Sequence, residues 1–475
     1  MGESETLFGQ LAPVKPHSFV MRRSQLQVPR PRLKPVALAV AVSFLVVGCA
    51  TPDLPPLPQA ATTTPASAST PPLQPALAAS PITVEEAIQR AKHASPQLHA
   101  LQAAVTVARQ RKSAATDFEE PEARAAWGTI DDEFNNPADS QAQWRLGARV
   151  YVPNPFLMSP RVSARAAELF AAKADLQAAQ WSLECDVRRL FGELNFLRED
   201  IILAEDLLRQ DNEILKDARA RAEWDAGTAS DVVAAAQKQL QTLNNLDLTR
   251  HQYQLAQRDL AGLLDLPPSS LQIATNALEY PSISKSALKL DPLQELAIRS
   301  RGDVLALRWR MEAAKYAYRE ARNLRIPWIK EITGWNRNPS DEWWLSAAVT
   351  IPVFSWTKNH AQDVLLAQCN LAGTNEINGV QLLRRELRDA LDELEERHLQ
   401  QARNQTEMVP LLAEMRKTVQ VLKQTPSLMP SQVAATEAQF LESSRLELAS
   451  RWRYHLALLN LERVMGEPFP ERFKP

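Results

Sequence analysis

Glycine is scarce in this chain, 13 of 475 residues, and none of it forms a phosphate-cradling loop, which sets aside the nucleotide-binding α/β enzymes. Cysteine is scarcer still. Cys49, Cys185 and Cys369 are too few and too scattered for a disulfide framework or a zinc site, and Cys185 and Cys369 read as packed thiols. An excess of one charge is missing as well: 54 Lys and Arg face 56 Asp and Glu, so nothing in the balance suits a nucleic-acid partner. The seven histidines stand alone and no Ser, His and Asp pattern appears. Carboxylates such as Glu395 and Glu396 sit in charged helical runs that read as solvated faces. No enzyme, no metal and no cofactor is expected.

What remains is 45% apolar, with Ala, Leu, Gln, Glu and Arg dominating the middle, the composition of long helices. The only sustained apolar run is "VALAVAVSFLVVG", after a basic stretch (Arg22, Arg23, Arg30, Arg32, Lys34) and before Cys49. It is too short to span a bilayer as a helix and reads as an export signal over residues 1–48, with Met21 as an alternative start. Its end, "VVGC", resembles a bacterial lipobox, which implies cleavage before Cys49 and lipidation of that cysteine; an ordinary signal peptide is the alternative. Ala50, in place of Asp, favours the outer membrane in that resemblance. Residues 49–81 are rich in proline and nearly uncharged, which gives an extended tether rather than a core.

From Ile82 the chain repeats itself. Ser95–Ala115 aligns with Arg301–Ala321, "ARVYVPNPF" (Ala148–Phe156) with "AAVTIPVF" (Ala347–Phe354), Val187–Leu194 with Leu387–Leu394, and Leu260–Leu264 with Leu461–Met465. The shift stays close to 200 residues in all four blocks, which predicts two copies of one unit, 82–280 and 281–467, with a tail at 468–475. Each copy reads as short helix, helix, hairpin, very long helix, turn, helix.

In the first copy Ser159 is the expected N-cap of the long helix, with Pro160 at its first position. Leu183, Val187, Leu190, Leu194, Leu197, Ile201, Ala204 and Leu208 then alternate by four and three, a coiled-coil seam. The helix is expected to end at "WDAGTASD", with Gly227 left-handed and Thr228 or Ser230 capping the return. From Ser159 to Ala226 it would run on the order of 100 Å at about 1.5 Å per residue. The return helix from Ser230 to Leu264 covers half of that, so the segment after Gly302 is expected to stack end to end with it. "RGD" at 301–303 reads as a helix start.

In the hairpins Trp144, Leu146, Ala148, Val150 and Val152 share a face, opposite Arg145 and Arg149. In the second copy Trp343, Leu345, Ala347, Val349 and Ile351 do the same. A strand of about eleven residues crosses a bilayer when tilted; a half-buried strand of a soluble sheet has the same pattern.

The opening "ITVEEAIQRAKHASPQL", the strand endings "VPNPF" and "IPVF" before long helices, the tip "AGTASDVVAAAQ" and "RGDVLALR" together resemble the outer membrane efflux protein family, the TolC-like trimeric channels, over about Ile82 to Glu467. That resemblance implies a mainly α fold with a small β part. Two tandem repeats would build a long α-helical coiled-coil barrel, and the short hairpins of three protomers would join in an outer-membrane β-barrel. It further implies a passive exit duct of a tripartite efflux or type I secretion system. The partners implied are a homotrimer, a periplasmic adaptor (membrane fusion) protein, an inner-membrane RND or ABC transporter and outer-membrane lipid.

On this chain the resemblance places adaptor docking at Gly227, Ser230, Asp231 and Val232. Trp144, Leu146, Val150, Val152, Leu345, Val349 and Ile351 would face the membrane. Arg145 and Arg149 become candidate pore-lining residues, unless they pair with the loop acids Asp131, Asp132 and Glu133. The second tip, with Pro426 and Pro430, lacks the glycine, Pro410 is expected to interrupt the second long helix, and the hairpin loops are short. A lipid-anchored periplasmic coiled-coil scaffold without a pore is the alternative reading.

Overall fold

The computed structural model describes residues 81–130, 141–224, 226–274, 289–338, 342–351, 356–424 and 429–469, all within one compact unit, Ala76–Pro475. The export signal, Cys49, residues 49–80 of the tether, Asp131, Asp132, Glu133 and Pro426 lie outside the described residues.

The element order is doubled. The first set is α1 (Val84–Ala94), α2 (Pro96–Ala114), β1 (Glu122–Ile130), β2 (Gln141–Tyr151), α3 (Pro155–Glu223) and α4 (Ala229–Leu263). The second is α5 (Leu290–Ser300), α6 (Gly302–Asn323), β3 (Trp328–Asn338), β4 (Glu342–Thr350), α7 (Trp356–Arg403), α8 (Val409–Gln424) and α9 (Pro430–Met465). Helix ends carry local signals. Thr83 and Glu86 form a reciprocal capping box on α1, and Ser95 accepts from the Leu98 amide to open α2 at Pro96.

Helix α3 is one unbroken helix of 69 residues. It starts five residues earlier than expected from a Ser159 cap: Asn154 is the N-cap, its Oδ1 accepting from the Phe156 amide at 3.0 Å, with Pro155 at the first position. An Asx cap before a proline satisfies the same free amides that Ser159 would have served. Pro160 is then a sixth-position residue, near enough to the N-terminus for its missing N–H to break little.

Helices α4, α9 and α6 are the most extensive antiparallel partners of α3, which α1 and α2 also contact. Helix α4 runs along its C-terminal half, with Thr249 to Asp200 and Thr242 to Asp211. Helix α9 of the second copy follows another side, with Trp452 stacked on Phe196 at 5.6 Å and Trp181 donating to the Glu462 carbonyl. Along the N-terminal half lies α6, where Phe170 stacks on Trp309 at 4.8 Å and Arg161 pairs with Glu320 at 2.8 Å. The seam is buried at Val187, Leu190, Leu194, Leu197 and Ala204. Beyond that it moves by one position, to Leu207 and Leu215 rather than Leu208, because a straight α-helix drifts against a seven-residue repeat.

Helix α6 stacks end to end with α9, not with α4 as expected. Gly466 ends α9 with φ of 81°, and a Cβ there would lie 2.8 Å from the Arg301 Cα, so only glycine fits. Ser300 Oγ donates to the Met465 carbonyl at 2.6 Å. Arg301 is indeed a helix start: it is the N-cap of α6, and its guanidinium pairs with Asp303 and Glu386.

The second long helix is interrupted, as Pro410 requires. Between α7 and α8 the residues Asn404–Met408 form a π-turn. The wider turn absorbs the amide that Pro410 lacks, and the Thr406 hydroxyl donates to the carbonyls of Ala402 and Arg403.

The four strands make one antiparallel sheet in the order β1-β2-β3-β4. Strand β2 joins the two hairpins by pairing with β3 from Trp144 opposite Asn338 to Tyr151 opposite Glu331. Among the described residues the outer edges of β1 and β4 have no partner strand.

Candidate functional site: the sheet and the helical tip

The register sorts the sheet residues into two faces. Trp127 lies opposite Trp144 and Ala125 opposite Leu146. Val150 lies opposite Ile332, which in turn faces Ala347, and Gly334 faces Leu345. Directly opposed residues share a face, so Trp127, Trp144, Leu146, Val150, Ile332, Leu345 and Val349 form one apolar surface, with Asn336 as a polar member between Leu146 and Trp343. It is open: Leu345 is 82% exposed, Trp343 77% and Trp127 76%, with Leu146, Val150, Val349 and Ile351 also exposed. Trp144 and Val152 are half-buried.

Three tryptophans, Trp127, Trp144 and Trp343, gather at the loop end of this surface. Trp328, at the helix end, is opposite Thr350 and so lies on the other face, edge-on to Phe156 at 5.9 Å. An aromatic cluster at the edge of an apolar band is a feature of membrane-barrel walls. From Trp144 to Val152 the strand rises about 26 Å, on the order of 20 Å of depth after a tilt near 40°, which suits a thin bacterial outer membrane.

The opposite face is polar. Arg149 lies within 3.5 Å of Glu331 and 3.9 Å of Glu122, Tyr151 donates to Glu122 at 2.7 Å, and Arg124 pairs with Glu122 at 3.0 Å. Arg149 is therefore held by strand acids from both neighbours and is not a free positive charge. Arg145 is exposed and makes no ion pair among the described residues. The partners Glu122 and Glu331 were hidden in strands whose own alternation is poor; only the register brings them to Arg149.

At the far end of α3 the turn into α4 is built by a capping box. Thr228 is the N-cap, its Oγ1 accepting from the Asp231 amide at 3.2 Å while Asp231 accepts from the Thr228 amide at 3.0 Å. The Thr228 amide and then its hydroxyl hold the Asp231 carboxyl below its ordinary value. Gly227 is not left-handed: among the described residues only Asp265 and Gly466 have positive φ. Its role is close approach, since a Cβ would sit 3.0 Å from the Arg221 Cβ. The Ala226 amide donates to the Arg221 carbonyl at 2.9 Å. Trp224 at this turn is 83% exposed, and Ser230 and Asp231 are exposed beside the half-buried Val232. Arg221 also pairs with Asp217 and reaches the Ser431 hydroxyl of the second tip.

Cys185 is buried and its thiol is pushed up to about 12 by desolvation, a packed and inert group; Cys369 is half-buried. Glu395 and Glu396 are exposed. No helix among the described residues is long and apolar enough to cross a membrane.

No family model matches the sequence, and no curated relative does. Solved structures do match. The outer-membrane channel OprN superimposes with a TM-score of 0.64 at 16% identity, over 81% of this chain and 90% of its own. The outer membrane protein VceC from Vibrio cholerae gives 0.63 at 17% identity, over 82% and 97%. The open state of the MtrE outer membrane channel of Neisseria gonorrhoeae gives 0.57 at 16% identity, over 81% and 89%. The doubled helix-hairpin-helix chain thus has the fold of these outer-membrane channels, a mostly helical body that carries a small antiparallel sheet of four strands.

Proposed function

We propose that the chain is one protomer of a trimeric outer-membrane exit duct, a passive conduit for efflux or type I secretion that extends into the periplasm. One observation carries this reading: the four-stranded sheet exposes an apolar face with tryptophans at its loop end, while β1 and β4 have no partner strand on their outer edges among the described residues. In lipid an open edge leaves backbone groups unsatisfied, so the sheet is stable there only when copies close it into a barrel. Arg145 and the Arg149 cluster then line the bore, and Leu146, Val150, Leu345, Val349 and Ile351 face the lipid together with Trp144 and Val152.

Lipidated Cys49 and the tether through residue 81 would fasten each protomer to the same membrane. The tip residues Gly227, Ser230, Asp231 and Val232 would dock a periplasmic adaptor that links the duct to an inner-membrane RND or ABC pump. The exposed surface of the Thr228–Asp231 box supports that assignment, because docking there costs no internal packing. The repeats 82–280 and 281–467 would each supply one hairpin and one long-helix pair per protomer.

The test is extraction of the mature protein from outer membranes. A trimer whose gel migration changes on heating, and which opens unitary conductances in planar bilayers, supports the duct. A monomer released simply by removing the lipid anchor overturns it.

A further inference from the structure

Besides Trp328 at the helix end, the polar face carries two tryptophans: Trp335 and Trp344 stand directly opposite one another on β3 and β4, on the face of Arg145, Gly147 and Arg149. The side is fixed by Gly147, whose Cβ, if present, would lie 2.6 Å from Cε3 and 2.7 Å from Cδ2 of Trp335. The Trp335 indole occupies the space that any other residue at 147 would fill. Covering a strand glycine in this way supports the sheet and accounts for Trp335. It does not account for Trp344, which is 63% exposed on a face lined mostly by charged and small polar residues.

The charges around this aromatic pair are not symmetrical. Glu122 and Glu331 are engaged by Arg124 and Arg149. Arg145 is exposed without an ion pair among the described residues, two positions along β2 from Gly147, and Trp344 lies two strands across from Gly147, so the Cα atoms of Arg145 and Trp344 are roughly 12 Å apart. A planar acid that bridges that gap can meet both side chains.

We propose that this pair is a solute subsite in the bore that takes planar aromatic carboxylates: the ring stacks on Trp344 beside Trp335, and Arg145 receives the carboxylate. Indole faces favour flat rings in offset or edge-on contact, and a guanidinium holds a carboxylate by charge-assisted hydrogen bonds. Three protomers would repeat the subsite around the bore. The inference rests on the duct reading and adds the class of solute that the barrel wall prefers.

The test uses the full-length trimer in planar bilayers, with 1-naphthoate as probe and cyclohexanecarboxylate and 1-naphthylmethylammonium as controls. Block is measured against each protein's own open conductance. Naphthoate is expected to give transient current blocks that both controls lack. Trp344→Ala and Arg145→Ala should each weaken them about tenfold, and Trp344→Phe should retain them. Trp343→Phe, on the lipid side, should leave block unchanged. Equal block by cyclohexanecarboxylate, stronger block by the ammonium compound, or full block in Trp344→Ala would overturn the subsite. A wild-type trimer that conducts without naphthoate block overturns the subsite alone, and a preparation with no conductance overturns duct and subsite together.

Discussion

The guanidinium of Arg445 on α9 forks onto the carboxylate of Asp200 on α3, with Nε and Nη2 each 2.7 Å from an oxygen. The pair ties the second copy to the first across 245 residues of sequence, and Thr249 of α4 donates to the same carboxylate at 3.4 Å. Asp200 is buried, 8% exposed. Arg445→Met leaves that carboxylate without its main partner, and a cost of about 2–3 kcal/mol is expected. The double variant Asp200→Leu with Arg445→Met removes both charges and should regain most of the loss. Thermal unfolding of the purified protein, compared over the four proteins of the cycle, measures the coupling.

Asp211 lies eleven residues further along α3, 2% exposed, accepting from the Thr242 hydroxyl at 2.7 Å. Burial pushes its carboxyl above the ordinary 3.8, opposed by the Thr242 hydrogen bond and by Lys238, with Glu442 also nearby. A folded-state value above the unfolded one means that the native state holds the proton more tightly. Stability from this group is therefore greatest at low pH and falls as pH rises through the raised value. Asp211→Asn should raise the unfolding temperature at neutral pH. The gain should shrink on acidification toward pH 4, and melting curves across that range decide the matter.

Gly302 brings the start of α6 against α3. A Cβ there would lie 2.6 Å from the Ala174 carbonyl oxygen and 2.7 Å from the Ala178 nitrogen, both backbone atoms that cannot step aside. Gly302→Ala should cost about 1–3 kcal/mol, whereas Gly373→Ala, with nothing within 4 Å, should be neutral or stabilising. Melting temperatures of the two variants are the check.

The two faces of the sheet should respond in opposite ways to a new charge. If the sheet forms the proposed barrel, Leu146→Arg places a cation toward lipid, costs about 2–4 kcal/mol near the bilayer centre and prevents recovery of the assembled protein from outer membranes. Ala348→Arg places it toward the bore and should assemble. Equal yields of both from outer membranes would contradict the assignment of faces.

At the tip, Thr228→Ala removes the side-chain cap of α4, worth about 1 kcal/mol. Faster hydrogen exchange at the Asp231 amide and weaker co-purification with an adaptor are expected. Because the Asp231 carboxyl is held below its ordinary value, its share of the cap is present above 3.8 and is lost as pH falls through the lowered value.

The element order and the doubling could be read from the sequence because they rest on local signals: period, caps and breakers. Thr83, Ser95, Thr228, Pro410 and the seam from Val187 to Ala204 all act within a turn or two of their own positions. The same local reasoning misplaced what depends on competition or accumulated geometry. Asn154 and Ser159 are both capable caps, each followed by a proline, and the helix begins at the earlier one. Leu207 displaces Leu208 only after the helix has drifted over several turns. Gly227 resembles a left-handed cap by position, yet its value lies in the approach of Arg221. The partners of Arg149, the Asp200–Arg445 fork and the Trp335 cover of Gly147 join segments far apart in sequence, which no periodicity encodes.

The two long helices differ in one mechanical respect. Helix α3 runs from strand to tip without interruption, whereas its counterpart is broken by the π-turn at Asn404–Met408. A torque applied to the first tip is carried to the sheet by a single stiff rod. The same torque on the second tip meets a softer joint partway up and is partly spent there. Bending at the two tips would therefore be lopsided, one helix pivoting as a strut while its counterpart flexes.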